Sequence, residues 1–293
     1  MVILMCVTLS NSWAGPKIES WTTSQGMRVY FVAAPDLPML DMQLVFDAGS
    51  SRDGDKPGLA NLTNSILDQG ADGMTADQLA EAFESVGASV SNSAGSEMAT
   101  LSLRTLTLEP QQKKAVDTWL KVLSKPEFPA KDFKNLQKLT LVGLDAEKQS
   151  PEAQASKAFI KGLFGSHPYA NPEAGTYDSI NALTLNDLKA FYKQYYVAQN
   201  AVLAIVGAVD KAAAEQLANQ VAASLGQGEA APAMPEVMPL TAPQTVKIDF
   251  PSGQSHILMG QTGNKRGDPD YYVMYLGNQI LGGGGFTSRL TKE

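Results

Sequence analysis

The 293-residue sequence contains only one cysteine and two histidines. Zinc sites in proteins usually need three or four His, Cys or carboxylate ligands, so a site rich in histidine or cysteine is not expected. A single cysteine also leaves no internal disulfide to form. No apolar run approaches the roughly 18 residues that a membrane-spanning helix requires, so we expect no transmembrane segment.

Basic side chains are the minority among the charged residues. Lys and Arg number 23 against 30 Asp and Glu, which gives a formal net charge of −7. This balance argues against nucleic acid or an anionic lipid surface as the main partner. With 44% apolar and 18% charged residues, the composition is that of a globular protein, which excludes a disordered tail or a coiled-coil rod.

The first 14 residues carry no charge, and Val2–Leu9 is mostly apolar. Ser12 and Ala14 place small residues at the two positions that define a signal-peptidase site after Ala14. We therefore expect residues 1–14 to be a signal peptide and the protein to be exported to the periplasm or cell envelope. A buried N-terminal strand is the alternative. The usual positively charged start is missing, so the true start is expected upstream of Met1.

Hydrophobic periodicity divides residues 15–225 into strands and helices of one domain. Alternation over Leu40–Phe46 and Ser89–Leu106 predicts half-buried strands. The continuous apolar run Ala201–Val209 predicts a central strand buried on both faces. Helices are predicted from Leu59 to a cap at Gly70, from Thr75 to Gly87, from Pro110, from about Asp132 to Lys148, over Pro151–Phe164 and Leu185–Tyr195, and after Asp210.

A second unit is expected after a segment rich in Pro, Ala and Gly. Residues 226–244 have the composition of an inter-domain linker. Predicted strands over Val246–Phe250 and His256–Gly260, followed by a loop and a helix, repeat the order seen at the start of the first domain. We expect residues 245–293 to be the start of a second, similar domain that is truncated at the last residue.

The residue types leave few kinds of catalytic chemistry open. His167 and His256 lie far apart in the sequence, and no pair of histidines has the i, i+4 spacing that places two ligands on one helix face. Both histidines are therefore interpreted as structural. No G-x-S-x-G nucleophile motif is present. The glycine run Gly282–Gly285 is interpreted as a turn that permits close backbone approach, although it could cradle an anion.

Several short motifs follow one another in an order typical of one family. They are Gly49–Asp53, Pro57–Ala60, Ser91–Ala94, His167–Tyr169 and Leu281–Gly285. Together they resemble the pitrilysin/insulinase (M16) metallopeptidases over almost the whole chain. The resemblance implies an α+β fold of the LuxS and mitochondrial processing peptidase type, in which an antiparallel sheet is packed by helices, followed by the start of a second similar domain.

The resemblance also implies where a zinc motif, His-x-x-Glu-His, should stand. Asn61 occupies the place of the first histidine, Asn64 that of the glutamate base and Ser65 that of the second histidine. The third ligand, a glutamate, should fall near Val142-Gly143, and neither residue binds a metal. We therefore predict no catalytic residue, no metal site and no cofactor in this chain, with zinc expected only in a partner subunit.

The family holds peptides as an added strand on a sheet edge, and Ser91, Asn92, Ser93 and Ala94 match that edge. These four residues are the predicted substrate-binding residues; an ordinary internal strand is the alternative. The leading hypothesis is a non-catalytic subunit that pairs with an M16 peptidase bearing His-x-x-Glu-His and helps to bind peptide. A stand-alone peptide-binding or scaffold protein is one alternative, and an active zinc endopeptidase with a relocated site is the other.

Overall fold

The computed structural model describes residues 15–293, so the predicted signal peptide lies outside the described residues. The strands are β1 (Glu19–Thr22), β2 (Arg28–Ala33), β3 (Met39–Phe46), β4 (Gly70–Ala71), β5 (Met74–Thr75), β6 (Ser89–Ala94), β7 (Ala99–Leu106) and β8 (Ala201–Gly207). The helices are α1 (Leu59–Ile66), α2 (Ala76–Glu84), α3 (Gln111–Ser124), α4 (Ala130–Lys148), α5 (Pro151–Phe164), α6 (Tyr177–Ala182), α7 (Leu185–Tyr195), α8 (Lys211–Ser224), α9 (Tyr271–Asn278) and α10 (Arg289–Lys292).

Six strands form one sheet in the order β1-β2-β8-β3-β7-β6. Neighbouring strands are antiparallel except β2 and β8, which run parallel. The predicted α+β fold with a sheet packed by helices is confirmed, and the one parallel pair makes the sheet mixed. The short strands β4 and β5 form a separate two-stranded ladder.

The two faces of the sheet differ in burial. On the face that packs against helices, Val29, Leu44 and Leu203 are fully buried. On the opposite face Tyr30 and Val206 remain 43% and 40% exposed. The expectation that Ala201–Val209 is buried on both faces is therefore wrong. Small apolar residues occupy both faces of β8, so its sequence reads as a continuous apolar run although one face stays partly open to solvent.

Several helix predictions rest on local capping signals, and the structure contains those caps. The Thr75 hydroxyl accepts from the Gln78 N–H at 3.4 Å, and the Gln78 side chain accepts from the Thr75 N–H at 2.9 Å, which is a complete capping box at the start of α2. Asp210 caps α8 by accepting from the Ala213 N–H at 2.8 Å. Helix α5 spans Pro151–Phe164 as predicted.

Two predicted boundaries are wrong because tertiary pairing overrides the local pattern. Helix α1 ends at Ile66 and does not reach Gly70, since Gly70 pairs with Thr75 in the small ladder. Ser89–Leu106 is not one strand but the hairpin of β6 and β7. The chain reverses where the Gly95 N–H donates to the Met98 carbonyl at 2.9 Å.

The two strands predicted at Val246–Phe250 and His256–Gly260 do not form. The structure assigns no helix or strand between residues 227 and 260. An extended segment becomes a strand only when a neighbour pairs with it. The helix predicted after them is present as α9, followed by a wider turn over Gln279–Gly283. The division into residues 15–225, 226–244 and 245–293 stays a proposal.

Gly175 lies close to the backbone of Pro57, just before α1, so a substitution there tests the packing of this part of the fold. Gly175 has φ +78°, and a Cβ there would lie 2.6 Å from the Pro57 carbonyl oxygen and 2.8 Å from Cδ1 of Ile180. Gly54 also has positive φ, +61°, but a Cβ there meets nothing within 4 Å. Gly175→Ala should lower the free energy of unfolding by about 1–3 kcal/mol more than Gly54→Ala, because only the former adds an overlap to the shared backbone strain.

Urea unfolding of the two glycine variants measures this difference. Equal losses in the two variants would show that the loop before α6 moves away from Pro57 without cost.

Candidate functional site

The three predicted motif positions lie on helix α1. Asn61 and Ser65 are four residues apart and both are half-buried, so they share one accessible face of the helix. Asn64 is only 1% exposed. The residues at the two predicted histidine positions therefore remain accessible, whereas the residue at the predicted position of the glutamate base is enclosed by protein.

The buried Asn64 amide is tied to neighbouring elements by hydrogen bonds. Its Nδ2 donates to the Tyr196 hydroxyl at 3.2 Å and to the Thr100 carbonyl at 3.4 Å, while its own backbone carbonyl accepts from Nδ2 of Asn92 at 3.2 Å. Burial raises the pKa of Tyr196 above its ordinary value, and the hydrogen bond from Asn64 opposes that shift. Asn64 thus links α1 to the end of α7, to β7 and to β6.

The donor set at these positions does not fit zinc. Asn61 and Asn64 carry neutral amides and Ser65 a hydroxyl, none of which is an ordinary zinc ligand. Val142, at one of the two places expected for the third ligand, is 58% exposed on α4. Among residues 15–293, no group of three or more His, Cys, Asp or Glu side chains is placed to hold a metal ion.

The N-terminus of α1 is fixed by a buried carboxylate that the sequence analysis named only as the last residue of the motif Gly49–Asp53. Asp53 is 3% exposed, and its two carboxylate oxygens accept from the Gly58 and Ala60 N–H groups, each at 2.7 Å. Burial raises the pKa of Asp53 to about 7, while the backbone donors act in the opposite direction. The carboxylate therefore satisfies N–H groups that the first turn of a helix leaves without a partner.

The predicted peptide-binding residues lie on β6, at one edge of the sheet. Ser91 and Ser93 are exposed, and Asn92 and Ala94 are half-buried. Because Gly95 bonds to Met98 across the hairpin, the alternation of an antiparallel ladder makes Ser91 and Ser93 the residues bonded to β7. The backbone N–H and C=O groups of Asn92 and Ala94 then point away from β7, toward the open edge.

The open edge ends at Ala94 because another segment covers the chain beyond it. The N–H groups of Gly49–Ser51 donate to the carbonyl oxygens of Gly95–Glu97 at 2.9–3.1 Å. Strand β6 therefore presents one short stretch of edge. In chain order that stretch leads directly into the turn between β6 and β7.

A cleft of about 1240 Å³ begins at this turn. Its walls are the turn itself, the C-terminal end of α4, one side of α5 and residues 169–177; Leu144, Ile160 and Phe164 contribute apolar surface. Across the cleft the Tyr169 hydroxyl donates to the Glu97 carboxylate, and this hydrogen bond is the main cause that raises the pKa of Tyr169 to about 12. The sequence did not predict the cleft, although Tyr169 of the motif His167–Tyr169 lies at its wall.

No helix within the described part of the chain is both long and apolar enough to cross a membrane.

Comparison with known proteins places both parts of the chain in one family. A family model described as "Insulinase (Peptidase family M16)" matches residues 28–176, and one described as "Peptidase M16 inactive domain" matches residues 182–293. The crystal structure of a peptidase M16 inactive domain from Pseudomonas fluorescens is 39% identical with a TM-score of 0.89. The match covers 94% of this chain and 67% of the Pseudomonas fluorescens chain.

The chain is also similar to two curated proteins. An uncharacterized zinc protease of Mycobacterium leprae is 24% identical over 276 residues, which is 93% of this chain and 61% of the relative. A non-peptidase homolog of Helicobacter pylori is 25% identical over 172 residues, which is 58% of this chain and 39% of the relative. The chain thus spans less than two thirds of the length of either relative.

Proposed function

Because the chain belongs to the M16 peptidase family, we propose that it is a non-catalytic member that binds peptide and works with a zinc-bearing M16 peptidase. The observation that carries this proposal is that α1, where the resemblance places the zinc motif, has Asn61, Asn64 and Ser65 and contains no histidine or glutamate. Its similarity to an M16 inactive domain and to a non-peptidase homolog supports the same conclusion.

The replaced residues remove both chemical requirements for zinc-dependent hydrolysis. Zinc lowers the pKa of its bound water to about 7 and polarises the peptide carbonyl, and neutral amide and hydroxyl groups do neither. A general base must accept a proton from that water. The Asn64 amide is instead used as a donor to the Tyr196 hydroxyl and the Thr100 carbonyl, so it is not available for that role.

Peptide binding does not need the missing zinc, because β6 can pair with an added strand through its backbone. The outward N–H and C=O groups of Asn92 and Ala94 would form the ladder. Ser91 and Ser93 carry small side chains that leave room beside it. A peptide that leaves this edge at Ala94 arrives at the cleft, whose apolar surface can receive its side chains.

The isolated chain is expected to bind an unfolded polypeptide and not to cleave it. Asn92→Pro removes the outward N–H and should weaken binding of fluorescein-labelled β-casein by about tenfold or more, since it loses a backbone hydrogen bond and places a ring against the docked strand. Fluorescence anisotropy measures the affinity. Proline is tolerated on an edge strand where its missing N–H faces solvent, so the fold should survive.

Asn92→Ala is the matched control for the proline variant. It keeps the backbone N–H and loses only the side-chain hydrogen bond to the Asn64 carbonyl. A similar loss of affinity in both variants would exclude strand addition at this edge. Cleavage of the polypeptide that EDTA abolishes would instead support the alternative of a relocated zinc site.

Pairing with a partner and export complete the proposal. We propose that the partner is an M16 peptidase with an intact His-x-x-Glu-His motif, and that the pair lies in the periplasm or cell envelope. Sedimentation of this protein with such a peptidase from the same genome should show a heterodimer. A protein that stays monomeric in this mixture but still binds polypeptide would favour the stand-alone binding protein.

A further inference from the structure

A turn at the C-terminal end of α5 holds the chain that leaves the sheet domain. Its central residue is His167, whose Nδ1 lies 3.1 Å from the Tyr169 backbone N and whose Nε2 lies 3.0 Å from the Pro235 carbonyl oxygen. Nδ1 must accept the Tyr169 N–H, so the ring proton of a neutral histidine sits on Nε2. That proton is donated to Pro235.

Residues 226–236 form a strap that is attached to the fold at separate points. Gly226 forms a bridge with Val197 at its start. The Ala231 N–H donates to Oδ1 of Asn200 at 3.0 Å. The hydrogen bond from His167 to Pro235 fastens the far end of the strap.

The same turn also supports the mouth of the cleft. The His167 and Tyr169 rings are in contact, with centroids 4.7 Å apart, and the Tyr169 hydroxyl donates to Glu97 on the turn between β6 and β7. His167 therefore stands where the strap, α5 and the cleft wall meet.

We propose that His167 is a pH-sensitive clasp, which holds the strap when the ring is neutral and loosens this junction when the ring is protonated. Protonation places a second N–H on Nδ1, directly opposite the Tyr169 N–H. Two donors cannot share that contact, so the ring rotates or the turn opens. Rotation breaks the bond to Pro235, and opening of the turn moves Tyr169 relative to Glu97.

Charged groups around His167 do not compensate for the lost acceptor. On α5, the Lys161 ammonium donates to the Gly165 carbonyl at 2.8 Å. On the strap, the exposed Glu236 is paired with Lys265 at 3.5 Å. From the hairpin turn, Glu97 is engaged by the Tyr169 hydroxyl. Exposed charges such as Glu236 are screened by water and salt.

Hydrogen exchange of the Ala231 amide reports directly on whether the strap is attached to the rest of the fold, because that amide donates to Oδ1 of Asn200. Its protection factor, corrected for the intrinsic pH dependence of exchange, should fall by about fivefold or more between pH 8 and pH 5, where histidine side chains ordinarily titrate. The Ala34 amide, which bonds to Gly207 in another part of the molecule, should not change over the same range.

The variant His167→Asn separates titration from a general structural effect. Asparagine can still accept the Tyr169 N–H as a turn cap, but it does not titrate and is too short to reach Pro235. We expect low protection of Ala231 at both pH values in this variant. A flat wild-type profile, or a variant that keeps the wild-type pH dependence, would overturn the clasp. Neither readout involves peptide, so the result is independent of the proposed function.

Discussion

Asp53→Ala should lower the free energy of unfolding by about 3 kcal/mol, a large effect for one substitution in a loop. The wild-type carboxylate accepts the Gly58 and Ala60 N–H groups at 2.7 Å while almost fully buried. Alanine leaves these donors at the start of α1 without partners. Urea unfolding measures the loss, and an effect below about 0.5 kcal/mol would show that water replaces the carboxylate.

The same residue should give the protein a pH-dependent stability with a defined sign. Its pKa is about 7 in the fold, well above the value of about 3.9 for an exposed aspartate. Between these values the folded state keeps a proton that the unfolded state releases. The stabilisation that comes from this retained proton is therefore complete below about pH 4, and it is lost as pH rises through 7.

Asp53→Asn is the matched variant for this pH dependence, because its amide has the same shape and does not titrate. Wild-type stability should drop by roughly 2.6 kcal/mol more than that of the variant between pH 5 and pH 8. Parallel profiles would mean that the carboxylate is already ionised in the fold at pH 5. A wild-type protein that gains stability relative to the variant over this range would reverse the sign and contradict the argument.

The sequence predicted the elements whose signals are local. The capping box at Thr75, the cap at Asp210 and the proline start of α5 each lie within a few residues of the helix that they define. The helical periodicity after Leu59 also placed Asn61, Asn64 and Ser65 on a helix, and α1 confirms it. These features need no knowledge of which distant segments meet.

What the sequence did not predict depends on contacts between distant segments. Tyr196 lies 132 residues from Asn64, and no periodicity connects them. The cleft combines a hairpin turn, α4, α5 and a loop, so no single segment carries its signature. The strands predicted after residue 245 failed for the same reason, since alternation marks a segment that can pair but not the neighbour that it needs.

Rebuilding the ligands on α1 and α4 should convert the chain into a zinc-binding protein. Asn61→His and Ser65→His place two imidazoles on the accessible face of α1, and Val142→Glu or Gly143→Glu adds a carboxylate from α4, which packs against α1. The triple variant should bind one zinc ion, whereas the wild type should bind none. Zinc at about 100 times its Kd would then stabilise the fold by about 2.7 kcal/mol.

The two glutamate positions serve as controls for each other. Consecutive residues on a helix differ in direction by about 100°, so only one of Val142→Glu and Gly143→Glu should complete the site. Isothermal titration calorimetry of the two triple variants and of the double-histidine variant measures this. Equal zinc affinity in all three would mean that α4 supplies no ligand, and the correspondence of Val142-Gly143 to a third ligand would be wrong.

Zinc binding alone should not restore peptide hydrolysis in the triple variant. The base position is still Asn64, which is buried and donates to the Tyr196 hydroxyl and the Thr100 carbonyl. Asn64→Glu would replace a donor with a carboxylate facing the Thr100 carbonyl, and it should cost about 1–3 kcal/mol in stability. Turnover in the triple variant without this fourth change would show that a base other than residue 64 can act. Turnover that appears only after Asn64→Glu is added would show that residue 64 separates a rebuilt metal site from a working peptidase.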